Sequence, residues 1–442
     1  MPGHTRATRA DDSDSTSTAT SASTGIEEHD TLGNSAIADI IRNHNKYAGE
    51  QELDPGLTGI IHIGLNEHAH AEASALNKAN RGHGGAKSIR GQKEQDTLKR
   101  GSKQYKFGSE EDCALFAASL GVRPEQALKL AELIFAGEKY AKDELAQIGE
   151  TWAQADLGKR DMSRVVFSGH SVGDSIWGDN NGEIPFDTFI KLGTIFPKAR
   201  GQVKHLAISA CYAGGERNLQ QFFQAFPGLE SIWAYHDSSP GTWSGAIDHL
   251  KAWENATDEN GSASKVDPGL AKGMRKAGNV ATWNRVDGYQ GAEPMDILEI
   301  EGLLREQDDV YLQHFNGEVE VTNTQTGPLR NYYNLVQRYL GHPEASRRVT
   351  EMEKRRDITI RLIYWKVITG KFGEGYKADL RAGHAAVGMT EPNWGKLTRA
   401  AALAHVDAFD AAAAGNDAAS RARTLLQGLK NVDSSVILTS WV

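Results

Sequence analysis

A histidine and a cysteine each close a short apolar run in this chain of 442 residues. The first run reads Val165-Val166-Phe167-Ser168-Gly169-His170-Ser171, and the second Leu206-Ala207-Ile208-Ser209-Ala210-Cys211. A thiol and an imidazole form a nucleophile with its base. The thiolate attacks, and the ring takes the proton and later gives it to the leaving group. The first run also contains Gly169-His170-Ser171-Val172-Gly173, a formal match to the G-x-S-x-G elbow that exposes a nucleophilic serine. The elbow needs a helix directly behind it. Here Gly178, Asn180, Asn181 and Gly182 follow, which is turn chemistry. The Cys211–His170 pair is therefore the main reading, and a serine esterase built on Ser171 is the alternative.

The other reactive side chains are less promising. Cys113 and Cys211 are the only cysteines, too few for a disulfide framework or a four-cysteine zinc site. Cys113 follows Glu110, Glu111 and Asp112, and neighbouring carboxylates disfavour its thiolate. It reads as a structural thiol at a helix start. His68 and His70 would point to different faces of a helix, and no H-E-x-x-H is present, so a solvated helix start over 67–80 is expected. No loop has the spacing of an EF-hand. Neither a metal nor a cofactor is expected. Asp174, Asp179 and Glu183 follow the histidine, and one of them could orient its ring.

The two runs need elements that bring them together. Residues 163–167, 203–208 and 231–235 are β-branched or aromatic and read as strands. Residues 59–64 read as a buried strand between glycines. Helical patterns follow these strands at 186–195, 218–226 and 244–255, with one long apolar face running from Leu130 to Trp152 after Pro124. Strand–helix alternation predicts an α/β fold with a mostly parallel sheet, whose site lies beyond the carboxyl ends of the strands. That rule gathers the loops at Gly169, Cys211 and His236. Residues 255–272 read as an exposed polar loop, 278–284 as one more strand, and 329–340, 358–368 and 400–429 as helices.

At the two strand ends the sequence resembles the caspase-like cysteine peptidases, the clan of caspases, metacaspases, gingipains, clostripain and the self-cleaving protease domains of some bacterial toxins. In that clan one hydrophobic strand ends in His-Gly and another in Ala-Cys. The likeness spans roughly residues 55–290, but only these two blocks are specific. It implies a three-layer α/β/α sandwich and peptide-bond hydrolysis through a thioester, with Cys211 attacking and His170 as base and then acid. It implies an oxyanion site from the backbone N–H groups of Ser171 and Cys211, and a dyad without a third member. It also implies that the loop after the third strand lines the pocket before the scissile bond. Asp237 and Ser239 are the substrate-binding candidates there, with Asp237 suited to a basic side chain; helix capping is their ordinary alternative. Ser171 replaces the clan's usual glycine after the histidine. The caspase Gln-Ala-Cys signature is absent, with Ser209 in place of the glutamine, so no strict aspartate preference follows.

Composition limits the setting. Lys and Arg number 49 against 58 Asp and Glu, a formal charge of −9, which argues against a nucleic-acid partner. No apolar stretch would span a membrane, and none follows Arg6 and Arg9 as a secretory signal would. The expected location is cytoplasmic, or outside the cell by export without a cleaved signal, as for a bacterial effector or self-processing protease. Residues 1–35, rich in Ser and Thr, read as a disordered tail. Residues 36–290 form the expected peptidase domain and 291–442 a helical accessory region suited to a protein partner. Residues 258–267 are a candidate processing loop. A caspase-like fold serving as an inactive binding scaffold is a further alternative.

Overall fold

Val165 and Phe167 face one side of a sheet and Val166 the other, and neighbouring strands repeat this alternation. The computed structural model describes residues 59–66, 68–79, 86–90, 93–179, 181–257, 266–291, 295–321 and 327–437. All of them belong to one compact unit. The expected tail at 1–35 and most of the candidate processing loop lie outside the described residues.

The chain begins with β1 (Ile60–Gly64), α1 (Ala69–Ala79) and β2 (Lys87–Ile89). A hairpin of β3 (Thr97–Arg100) and β4 (Lys103–Lys106) follows, then α2 (Glu110–Ala118), α3 (Pro124–Ala136) and α4 (Lys142–Asp156). Next come β5 (Arg164–Ser168), the short arms β6 (Ser175–Ile176) and β7 (Ile184–Pro185), α5 (Phe186–Ile195) and α6 (Pro197–Gln202). The remaining α/β part is β8 (His205–Ser209), α7 (Glu216–Ala225), β9 (Ser231–Tyr235), α8 (Ala246–Thr257), β10 (Val280–Asn284) and β11 (Gly288–Gln290).

The main sheet has seven strands in the order β11-β10-β9-β8-β5-β1-β2. Pairings from β2 to β9 are parallel, and β10 and β11 add antiparallel at one edge. The sheet is buried on both faces, as a parallel sheet covered by helices must be. On one face Val165, Phe167, Leu206, Ile208 and Ile232 pack with α2 to α5 and α7. On the other, Val166, Ala207 and Trp233 pack with Leu76 of α1 and Trp253 of α8. The expected α/β class with a mostly parallel sheet and a helical C-terminal region is observed.

Three expectations change in the α/β part. The apolar face from Leu130 to Trp152 belongs to two helices, not one. Tyr140 adopts a left-handed φ of 69° between them, and Asp96 Oδ1 accepts the N–H groups of Tyr140 (2.8 Å) and Lys142 (3.1 Å). A carboxylate distant in sequence thus supplies the cap that starts α4. The start of α1 is not simply solvated: His68 and His70 are exposed, but Glu72 is buried beside His62, with Thr242 donating to it at 2.8 Å. The polar stretch before Lys272 is not all exposed loop. Pro268–Ala271 forms a 3-10 turn capped by Asp267, and Val266 is only 1% exposed.

The C-terminal region consists of α9 (Ile297–Glu306), α10 (Asp308–Phe315), α11 (Pro328–Leu340), α12 (Val349–Ile363), α13 (Trp365–Gly375), α14 (Lys377–Ala386), α15 (Arg399–Ala412) and α16 (Ser420–Lys430). The runs at 358–368 and 400–429 are each divided, at Tyr364 and at a turn where Gly415 has φ 73° and Asn416 caps the next residues. These helices build a core of their own that also takes in Tyr212 and one side of Cys211. No helix among the described residues is long and apolar enough to cross a membrane.

Candidate active site

In the parallel pair β5/β8, Ser168 lies opposite Ser209. His170 and Cys211 each stand two residues beyond that pair. The register therefore sets them level at the carboxyl edge of the sheet. This edge adjoins the point where chain order reverses, since β2 lies on one side of β1 and β5 on the other.

After β5 the backbone folds back on itself. His170 and Trp177 exchange both backbone hydrogen bonds, at 2.8 and 3.1 Å. This bridge carries the next residues over the imidazole, where Asp179 Oδ1 accepts from His170 Nε2 at 2.8 Å. That bond holds the Asp179 carboxyl below its usual range. With Nε2–H bound to Asp179, the other ring nitrogen, Nδ1, carries the lone pair that can act as base. Gly178 lies so close to the carbonyl of Leu65, after β1, that a Cβ would collide with it. Asn181 Nδ2 donates to the same carbonyl at 3.0 Å. The Asp179 loop is thus pinned against the neighbouring strand.

Cys211 is half-buried. Its Sγ receives the backbone N–H of Ser239 at 3.3 Å and lies 3.4 Å from Ser239 Oγ. No hydrogen bond joins Sγ to His170 among the described residues; Nε2 turns to Asp179 and the sulfur to Ser239. The sharp turn after the cysteine uses Tyr212 in a left-handed conformation, φ 60°. Three contacts hold Tyr212: its N–H donates to Asp237 O (3.0 Å), its hydroxyl to Asn334 Oδ1 (2.9 Å), and its ring meets Tyr333 edge-on. Gly214 then packs against the backbone of Tyr235 and His236, where a side chain would clash.

The other site candidates sort as follows. Ser171 is only 6% exposed, and its Oγ accepts the N–H of Gly173 at 2.9 Å. Asp237 Oδ1 accepts the N–H of Ser238 at 2.6 Å, within its own loop, and neither Asp237 nor Ser239 caps α8. The imidazole bonds to Asp179 rather than Glu183, whose backbone N–H donates to the Glu138 carboxylate. Asp174 pairs with Arg356 of α12 at 2.9 Å. Among the described residues no three His, Cys, Asp or Glu side chains gather as a metal site.

Arg356, Asn334, Lys276 and Asn279 are site neighbours that sequence reading missed. Nothing in their local patterns marks them. Two clefts flank the Cys211 turn where α11 and α12 cover it. One is lined by Tyr212, Gly215, His236, Tyr289 and Gln337. The other is lined by Gly173, Asp174, Asn218, Gln337 and Arg356.

Comparison with family models gives no match, and neither do searches of curated proteins and of solved structures.

Proposed function

We propose that the chain is a cysteine endopeptidase of the caspase-like type, with Cys211 as nucleophile, His170 as base and acid, and Asp179 as the residue that orients the ring. The observation that carries this reading is the β5/β8 register, which levels the histidine and the cysteine at one sheet edge. The Asp179 bond adds a fixed tautomer.

In this reading the Cys211 proton passes to His170 Nδ1 and the sulfur attacks the peptide carbonyl. The N–H groups of Ser171 and Cys211 receive the oxyanion. The C–N bond then breaks as the imidazolium protonates the leaving amine, and a thioester to Sγ remains. Water, deprotonated by His170, attacks the thioester and releases the acid and the thiol. The clefts beside Tyr212 and Gly173 would take the peptide on either side of the scissile bond. Asp237 would receive a basic side chain, in competition with Lys276, which feels its charge. Library profiling of Asp237→Ala tests that point, and an unchanged preference overturns it.

The serine alternative has less support, because the Ser171 hydroxyl is buried and held in its own turn. One observation favours the inactive-scaffold reading: the Cys211 sulfur bonds to Ser239 rather than to His170. The deciding experiment is cleavage of a peptide library by wild type and four variants. Cys211→Ala and His170→Ala should be inactive, while Ser171→Ala and Cys113→Ala retain most activity. An active Cys211→Ala with an inactive Ser171→Ala would install the esterase instead. Wild type without cleavage or Cys211 labelling would leave the scaffold.

A further inference from the structure

The sulfur of Cys211 ends a chain of hydrogen bonds that does not involve His170. The N–H of Ser239, which donates to Sγ at 3.3 Å, belongs to the peptide unit whose carbonyl is Ser238 O. That carbonyl accepts Asn279 Nδ2 at 2.9 Å. The peptide unit is therefore polarised from both ends, with a donor on its oxygen and the sulfur on its N–H. Bonds in series of this kind strengthen one another by roughly 10–30% each. Lys276 Nζ donates to Ser238 Oγ at 2.9 Å and to Ser239 O at 2.8 Å, so its charge is fixed on the same loop.

The segment that supplies both side chains is itself anchored. Asn279 O accepts the N–H of His236, and Asn279 N–H donates to Lys276 O, each at 3.0 Å. Lys276 adopts a left-handed φ of 59° without being a glycine. Such a conformation persists where surrounding bonds hold it, and it concentrates at functional sites. Burial lowers the affinity of the Lys276 ammonium for its proton, while the nearby Cys211 and Asp237 raise it.

We propose that Asn279 and Lys276 are positioning residues for Cys211: they lock the Ser238–Ser239 peptide so that its N–H, with the Ser239 hydroxyl, aims and stabilises the nucleophilic sulfur. The inference rests on the reading of Cys211 as nucleophile. It adds a second support for the thiolate, separate from the proton acceptor's own network with Asp179. The two networks come from different parts of the chain, so they can be removed separately.

The test is the alkylation rate of Cys211 by iodoacetamide in the full-length chain, read by peptide mass spectrometry, with Cys113, labelled after denaturation, as the reference for peptide recovery. The set is wild type, Asn279→Asp, Lys276→Met and Lys276→Arg. Asn279→Asp keeps the size and loses the donor, and Lys276→Met keeps the stem and loses the charge. Each should slow Cys211 alkylation by roughly three- to tenfold, since a lost charge-assisted bond is partly offset by the greater nucleophilicity of a less stabilised thiolate. Lys276→Arg should recover most of the rate, which a merely structural strut would not require. If Lys276→Met does not fold, the isosteric Asn279→Asp decides alone. Folded variants that react at the wild-type rate overturn the positioning role and leave the nucleophile standing. A wild-type Cys211 that reacts no faster than an ordinary exposed thiol overturns both.

Discussion

Asp179 accepts its hydrogen bond from Nε2 of His170 at 2.8 Å, leaving Nδ1 as the basic nitrogen. The two side chains are 43% and 45% exposed, so water and salt screen the pair. Asp179→Ala should therefore lower kcat by roughly 10- to 100-fold rather than abolish turnover, with KM little changed. Initial rates at two salt concentrations check this. Wild-type turnover in Asp179→Ala would return the site to a dyad.

The two thiols differ sharply in environment. Cys113 is fully buried, its Sγ 3.6 Å from Phe107 O, and burial above all pushes it up to about 12. At pH 8 a thiol reagent should modify Cys211 in the native protein and reach Cys113 only after denaturation. Peptide mapping with and without denaturant reads this directly, and equal native labelling of both would refute it.

Arg356 is 8% exposed and joins Asp174, on the loop after His170, to a helix of the C-terminal region. Asp174 is half exposed, which weakens the pair. Arg356→Met should cost about 1–2 kcal/mol of stability and lower cleavage by loosening the Ser171–Asp174 turn. A double-mutant cycle with Asp174→Ala isolates the pair, and a coupling of zero would assign Arg356 to packing alone.

Glu144 is 0% exposed, and its burial and the adjacent Asp143 push its carboxyl well above the usual range. The folded state therefore binds a proton that the unfolded chain releases above its ordinary value of 4.5. Stability attributable to this group falls as pH rises beyond that point. Glu144→Gln should raise Tm at pH 8 and do so less at pH 5. An equal gain at both would show that charge is not the cause.

His205 runs the opposite way. Burial, then Arg164 and Lys204, lower it from 6.5 to about 4. The folded state holds the neutral ring, which lies 2.9 Å from Ser231 Oγ. Stability is complete above pH 6.5 and is lost as pH falls toward 4, on the order of 3 kcal/mol in all. His205→Gln should flatten denaturant midpoints across that window. A midpoint that falls as steeply in the variant would assign the acid loss to other groups.

Much of the α/β part is legible in the sequence. The strand at 231–235 and the helix at 186–195 fall where their apolar patterns put them, because a strand buried on both faces is a short continuous apolar run and an amphipathic helix writes its period into the sequence. The break at Tyr140 was hidden, since Asp96, far back in the chain, makes the cap. The hairpin of β3 and β4 was missed as well. Its exposed residues, Lys99, Lys103, Gln104 and Lys106, carry little apolar alternation.

For the site, sequence alone determined the two strand ends and the residue types on them. A short apolar run followed by a glycine turn is local information, and His170 and Cys211 come with it. The tertiary structure decided what those residues touch. Asp179 reaches the imidazole because a backbone bridge folds the chain back. Ser239 meets the sulfur because β9 pairs beside β8, and Asn279, Lys276 and Arg356 arrive from segments far along the chain. Side-chain contacts across such separations depend on strand order and helix packing. Those are settled by burial summed over the whole core, which no short stretch of sequence records.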